Sequence, residues 1–450
     1  MKLQLTIASF TICLLFSPML RAQESPRIVS YDLTVQIDVP NRQVEVGGSF
    51  EVDFHDSDSI SLVLWRHARI DTLRHSSREI TYRFDTLAPA PAQFIPDGRT
   101  LTLYRPAGAD DRCRINTRYT LYMQEVQGPA KSFNDHWIEL GYYTGWYPVC
   151  NGNRADYSHL RIGITDGYTV SGSGIISHTE EGIWEMEQPW ENFDNVILAS
   201  PMLKSRRIND NGTTIELIYT DFPDAGADSA LQCCHNALKF FRRLYKIAGD
   251  EDIYMKFLLS ASGTSGGYSR KNFIMLSSRT FNEYVLKNTA HEIGHFWWNK
   301  APVESWHDWL NESFAEFSAL QYIRHARGEK AYAAYIDAYR KETRHIRPIW
   351  GIDRNDREAH LALYRKGSVL LADLLVRVGE EPFFNFLAGV IQAHITDTSA
   401  FLDFAESRLG RKNRDWIEKR LKVNPEKPDV PLNKNDAFQK VQKRRVQEKR

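Results

Sequence analysis

Hydrophobic and polar positions alternate with a period of two over the first part of this chain, and the period changes part-way along. Segments 31–39, 44–54, 61–65, 100–104, 168–170 and 182–186 carry the alternation of half-buried strands, punctuated by turn residues. They predict an all-β domain over residues 26–204. From about residue 212 the pattern is mixed. Segments 213–220 and 253–259 read as strands, and 229–246 repeats its apolar positions at helical spacing. Helical runs follow at 309–327, 329–346, 366–378, 382–393 and 400–409. The expectation is an α+β multidomain protein, an all-β domain followed by a mixed α/β and helical domain over 205–422. About 430 residues beyond the N-terminal segment exceed one ordinary core, in keeping with two domains.

The two ends read differently. Residues 1–22 have Lys2, an apolar stretch interrupted by Thr6, Ser9, Thr11, Ser17 and Pro18, and small Ala22 at the end. That is the pattern of a cleaved signal peptide, so the chain is expected to be exported, periplasmic or secreted. No later segment is long and apolar enough to span a bilayer. Residues 423–450 are rich in Pro, then Lys and Arg, and are expected to form a disordered basic tail. Across the whole chain 57 basic residues balance 57 acidic ones, so bulk charge steers it towards neither nucleic acid nor anionic membrane. Cys113, Cys150, Cys233 and Cys234 follow the signal segment. Export permits disulfides, with three possible pairings, although Cys233 and Cys234 point about 100° apart on a helix and read as buried small residues.

The segment with most chemistry is His291-Glu292-Ile293-Gly294-His295. On a helix, side chains four apart share a face, so both imidazoles can bind one metal ion. Glu292 stands about a quarter turn away, where it reaches the attacking water and not the metal. A tetrahedral zinc needs a third protein ligand. Trp298 and Ala301 occupy the positions where the three-histidine pattern requires Gly and His, so an acid from a second helix is expected instead. Downstream, Trp309-Leu310-Asn311-Glu312-Ser313-Phe314-Ala315-Glu316 opens a helical run. Pro302 is the expected break before it and Asp308 its expected N-cap.

These residues resemble the membrane-alanyl aminopeptidase (aminopeptidase N-like) family of zinc gluzincins, relatives of thermolysin. That family joins H-E-x-x-H to W-L-N-E-G-F-A, where this chain has W-L-N-E-S-F-A. The resemblance implies a thermolysin-like catalytic domain, one zinc ion and a peptide substrate, with Glu312 as third ligand. The gap between His295 and Glu312 is two residues shorter than is usual in the family, a deletion expected in the connection 299–307. Glu316 is the competing ligand, and its spacing from Glu312 also suits holding a ligand His by its other nitrogen. Tyr364-Arg365-Lys366-Gly367 corresponds to the family's Y-x-K-G, implying that Tyr364 donates to the tetrahedral oxyanion. Trp146-Tyr147-Pro148 resembles a W-F-P string in the family's β-domain.

The resemblance fails where the family carries G-x-M-E-N, whose Glu grips the substrate's free amine. Here the segment runs Gly266-Gly267-Tyr268-Ser269-Arg270-Lys271-Asn272 and has no acid. Gly266 and Gly267 suit close backbone approach, and an edge strand here could pair with an extended peptide. Ser269 or Arg270 stands near the missing Glu, which makes both candidate substrate-binding residues. The chain also ends soon after the catalytic segment, which implies a more open cleft than the family's usual helical roof allows. The expected activity is zinc-dependent peptide hydrolysis, aminopeptidase-like, with blocked peptides or internal bonds admitted. A catalytically silent peptide-binding member of the same fold is the alternative.

Overall fold

The computed structural model describes residues 25–422, apart from 93, 125, 129–130, 151, 153, 246–252, 261–265 and 271. The signal-like segment and the basic tail lie outside the described residues. The N-terminal half is built from strands. Arg27–Asp38, Gln43–Asp53 and Arg112–Tyr122 form the centre of an eight-stranded sheet, in which Arg27–Asp38 also pairs parallel with Tyr157–Ile164. Within Arg27–Asp38, Leu33, Val35 and Ile37 are buried while Asp32, Thr34 and Gln36 are exposed, the period-two pattern of a sheet with one face on a core. A three-stranded sheet (Ser59–Trp65, Gly98–Tyr104, Tyr82–Pro89) shares that core.

A five-stranded sheet forms the middle layer, and its alternation sends residues to two different cores. Ile138 and Leu140 on one strand, with Ile197 and Ala199 on another, join the N-terminal core. Leu198 points the other way, onto Leu258, Tyr268, Phe273 and Met275 of the next sheet. That next sheet orders Lys204–Asp210, Thr213–Tyr219, Ile253–Ser260, Phe273–Ser277 and Gly267–Arg270. Its opposite face, including Leu217, Phe257, Leu259, Ile274 and Leu276, packs on helices. Phe273–Ser277, buried throughout, reads as an apolar run, while Glu216 and Lys256 interrupt the other two central strands. The chain passes from one sheet to the other between Ser200 and Lys204.

Eight α-helices are described: α1 (Asp224–Tyr245), α2 (Glu283–Gly294), α3 (Trp309–Arg327), α4 (Glu329–Thr343), α5 (Gly367–Val378), α6 (Glu380–Gln392), α7 (Thr398–Leu409) and α8 (Arg411–Lys422). Alpha-helix α2 starts where Asn282 accepts from Val285 N at 3.1 Å. It ends well before Pro302, which corrects the sequence expectation. Phe296 N bonds Ile293 O, and both Trp297 N and Trp298 N bond Gly294 O, so the chain turns at once after His295. The turn is held by Trp298, buried against Phe314 and Tyr245 and donating to Ser318 Oγ at 3.1 Å. Gly294 matters at the crossing: a β-carbon there would come within 3.1 Å of Ala315 Cα and push α3 back by a few tenths of an ångström.

Among the described residues no helix is long and apolar enough to cross a membrane. Among the described residues, Cys113, Cys150, Cys233 and Cys234 are free thiols, and Cys233 and Cys234 are buried as read from their spacing.

Candidate active site

Helices α2 and α3 bring His291, His295 and Glu312 together, with one ligand atom from each lying within 4.8 Å of the others. Glu312 Oε2 stands 3.4 Å from His291 Nε2 and 3.5 Å from His295 Nε2. It is buried and makes no hydrogen bond. A carboxylate oxygen buried this way costs free energy unless a cation meets it. Two imidazole nitrogens and one carboxylate oxygen converging on a point are the donor set of a three-ligand zinc site, so these residues fit that metal.

The far sides of both imidazoles are fixed. His295 Nδ1 lies 2.9 Å from Trp298 O, so the turn after α2 fixes the tautomer that leaves Nε2 with a free lone pair. His291 Nδ1 faces Glu316 Oε2 at 2.8 Å. Glu316 is itself gripped by Lys287 Nζ at 2.6 and 2.8 Å and by the Tyr339 hydroxyl. That geometry puts Glu316 behind His291, away from the point where the other three groups converge.

Electrostatics describe a centre built around positive charge. Burial opposes protonation of His291, yet the Glu312 and Glu316 carboxylates overcome it and push His291 up to about 10. Burial would raise Glu312, but His295 and His291 hold it far below the usual carboxylate range. Glu292 is buried beside both imidazoles; desolvation raises it from its ordinary value, against the lowering effect of His291 and His295. A carboxyl so placed is poised to pick up and return a proton.

The connection into α3 departs from the sequence reading. Asp308 makes no side-chain cap; instead Ser305 caps the preceding turn, accepting from His307 N at 3.2 Å. The Asp308 carboxylate accepts from Asn311 Nδ2 and from Arg354 Nε, both at 2.9 Å, because this buried acid needs a cation and two strong donors. Asn311 also accepts from Ala301 N at 3.1 Å and donates to Ala301 O at 2.9 Å. One amide thus ties down the shortened connection and sets Glu312 one residue on.

Tyr364 lies on a π-helical turn, Leu361–Lys366, an irregularity that recurs at functional sites. Its ring stacks on His291 (centroids 5.6 Å apart, planes 9° apart) and on His360 (4.3 Å, 23°). Gly367 explains why the turn can sit here, since any β-carbon would run into Ser313 of α3.

Strand Gly267–Arg270 lies at the sheet edge, paired only with Phe273–Ser277 among the described residues. A β-carbon on Gly267 would come within 2.9 Å of Glu292 Oε1, so this backbone runs directly past the Glu292 carboxylate. Gly266 N donates to the Tyr284 hydroxyl at 3.2 Å. Ser269 is half-buried on the same strand. Arg270 corrects the reading that placed it in substrate binding. Its Nε meets Asp194 Oδ2 at 3.0 Å, and its guanidinium is caged by Tyr268, Tyr143 and Phe193. A buried guanidinium with a carboxylate and aromatic faces around it is structural, joining the catalytic sheet to the β-domain. Lys271 lies outside the described residues.

Sequence reading missed Arg354, Asp308 as an acceptor, Asp194 and Glu139. None has a motif signal, since each is defined by partners far away in the chain.

The β-layers and the helical domain have the fold of solved two-domain M1 zinc metallopeptidases. Residues 268–419 match the Peptidase family M1 domain, and the chain carries that domain. A curated relative, aminopeptidase N of Streptomyces lividans, is 23% identical over 302 residues, covering 59% of this chain and 35% of that protein. The chain therefore spans about a third of the length of the curated relative it matches. Among solved structures, an M1 zinc metallopeptidase from Deinococcus radiodurans superposes with TM-score 0.68 at 17% identity, covering 91% of this chain and 97% of that one. A mutant of an M1 zinc metallopeptidase from the same organism, bound to a Tyr-Ser-Ala substrate, gives 0.67 at 17%, covering 90% and 96%. Leukotriene A4 hydrolase from Saccharomyces cerevisiae gives 0.68 at 16%, covering 90% of this chain and 69% of that enzyme.

Proposed function

We propose that this protein is an exported peptidase that hydrolyses peptide bonds with one zinc ion held by His291, His295 and Glu312, and that it tolerates substrates without a free N-terminus. The observation that carries the reading is the buried, unbonded Glu312 oxygen facing two imidazole nitrogens, beside a carboxyl that is off the ligand face. Zinc, when bound, polarises the scissile carbonyl and acidifies the attacking water. Glu292 accepts a proton from that water as its oxygen adds to the carbonyl carbon. The same carboxyl then delivers the proton to the amine as the C–N bond breaks. The Tyr364 hydroxyl donates to the oxygen that gains charge. The open edge of Gly267–Arg270 holds the peptide extended alongside Glu292, with Gly267 giving the clearance.

Substrate tolerance follows from where the acids are. Glu316 is engaged by His291, Lys287 and Tyr339, and Asp194 by Arg270, so neither is available to an ammonium group. Glu304 remains as an exposed acid whose charge reaches Tyr142 near the Arg270 cage. The Streptomyces relative's description as an aminopeptidase supports cleavage near an N-terminus. Export is supported by the signal-like residues 1–22.

The test uses zinc-loaded protein and one peptide in free and N-acetylated forms. A charge-assisted hydrogen bond to the amine would be worth about 1.5–3 kcal/mol, or roughly 10–150-fold in rate. The expected ratio is well below that range. A large loss on acetylation would mean that the amine is recognised, with Glu304→Gln the variant to examine. An inert wild type, fully loaded with zinc, would favour a peptide-binding role instead.

A further inference from the structure

We propose that Arg354 is a positioning residue for Tyr364: it accepts no substrate contact, but directs the phenol's single proton into the cleft. The inference rests on the peptidase reading above. The Tyr364 ring is clamped between His291 and His360, which leaves rotation about its C–O bond as the remaining freedom.

The Arg354 guanidinium carbon lies 6.0 Å from the Tyr364 ring centroid, which sets a fixed positive charge beside the phenol. Only 14% of the Arg354 side chain is exposed, and its Nε is fixed by Asp308, whose own side chain is 1% exposed. Asp308 in turn is fixed by Asn311, the residue before Glu312. The line Asn311, Asp308, Arg354, Tyr364 therefore ties the phenol to the start of the helix that carries Glu312.

A guanidinium has donors and no acceptor. A phenol beside it turns its own hydrogen away from the positive charge, and that charge makes the hydrogen a stronger donor. The benefit appears only when a partner oxygen gains charge, so it belongs to the transition state. The planar fork suits the task, because its bond to Asp308 fixes where the charge stands beside the phenol; a lysine ammonium offers no such fixed orientation.

The experiment is a double-mutant cycle on zinc-loaded protein with one cleaved peptide: wild type, Arg354→Gln, Tyr364→Phe and the pair. Each single variant should keep stoichiometric zinc, lower kcat about 10–100-fold and leave KM within about threefold. The pair should be no slower than Tyr364→Phe alone, because Arg354 acts through the hydroxyl already removed. Asp308→Asn, which keeps the side-chain shape, should show a smaller kcat loss that also disappears in the Tyr364→Phe background. Affinity for a phosphinic peptide, an oxyanion mimic, should fall with kcat/KM in Arg354→Gln, while affinity for the cleaved product stays unchanged. Losses that multiply in the pair would overturn the proposal. So would a KM increase confined to peptides with a free C-terminal carboxylate, which would make Arg354 a substrate-binding group. An inert wild type would remove the peptidase reading and this inference together.

Discussion

Glu312 and Glu316 stand one helical turn apart and both face His291, yet they differ in what else they touch. Glu312 meets imidazole nitrogens alone at its inner oxygen, while Glu316 is saturated by Lys287, Tyr339 and His291 Nδ1. Glu312→Ala is therefore expected to lose stoichiometric zinc. Glu316→Ala should retain it with affinity weakened about 10–100-fold, because a lost outer partner frees the imidazole ring without removing a ligand. Metal analysis after dialysis against a graded chelator separates the two, and full occupancy in Glu312→Ala would sink the assignment. Glu292→Gln should keep zinc, fold and peptide binding while turnover falls about 10²–10⁴-fold, the usual effect of removing a general base. Equal activity in that variant would transfer the proton role elsewhere. That these residues come together was legible because H-E-x-x-H and W-L-N-E set them at fixed helical spacing. Arg270 was not legible, since an arginine beside glycines looks solvated until Asp194, 76 residues earlier, is brought against it.

Alpha-helix α3 is the element that organises the centre, contributing Glu312, Glu316 and, through Ser313, the seat of the Tyr364 turn. Ser313 Oγ bonds Leu363 O, and Ser368 Oγ donates to Ser313 O at 3.1 Å, so the two helical segments are stitched at the point of closest approach. Gly367 has no room for a side chain there, with Ser313 Cβ 2.6 Å from where a β-carbon would stand. Gly367→Ala should destabilise the protein by about 1–3 kcal/mol through overpacking and lower kcat by displacing Tyr364. Ser313→Gly in the same chain should recover part of both, read by thermal denaturation and turnover. No recovery would place the strain elsewhere. Element positions were mostly readable: segments 213–220 and 253–259 appear as Thr213–Tyr219 and Ile253–Ser260. Element ends were not, because Trp298 packing ends α2 and Asp308 is drawn to Arg354, and both effects come from contacts distant in sequence.

At the scale of the whole molecule, the buried layer between the five-stranded sheet and the catalytic sheet carries ionisable groups. Glu139 faces it, accepting from Trp137 Nε1 at 3.0 Å and Ser260 Oγ at 3.3 Å, with Oε1 unbonded. Burial, opposed by these donors and aided by Asp194, pushes Glu139 up to about 7 from the ordinary 4.5. Between those pH values the folded chain keeps a proton that the unfolded chain has released. Its contribution to stability is thus fully present below about pH 4.5 and declines as pH rises towards 7. Glu139→Gln should remove that decline, so its advantage over wild type should grow between pH 5 and pH 8, by at most about 3 kcal/mol. Thermal melts at the two pH values test this, and a difference that does not change with pH would show that Glu139 stays ionised. The sequence by itself determined the order of the β-rich and helical parts and the helical spacing of His291 and His295, because side-chain period and helical spacing are local properties of the backbone. Which acid oxygen is left without a hydrogen bond, which arginine is caged by Asp194 and which one stands beside the Tyr364 ring were decided only by tertiary structure. Those outcomes depend on desolvation and on partners that the chain brings together from tens of residues away.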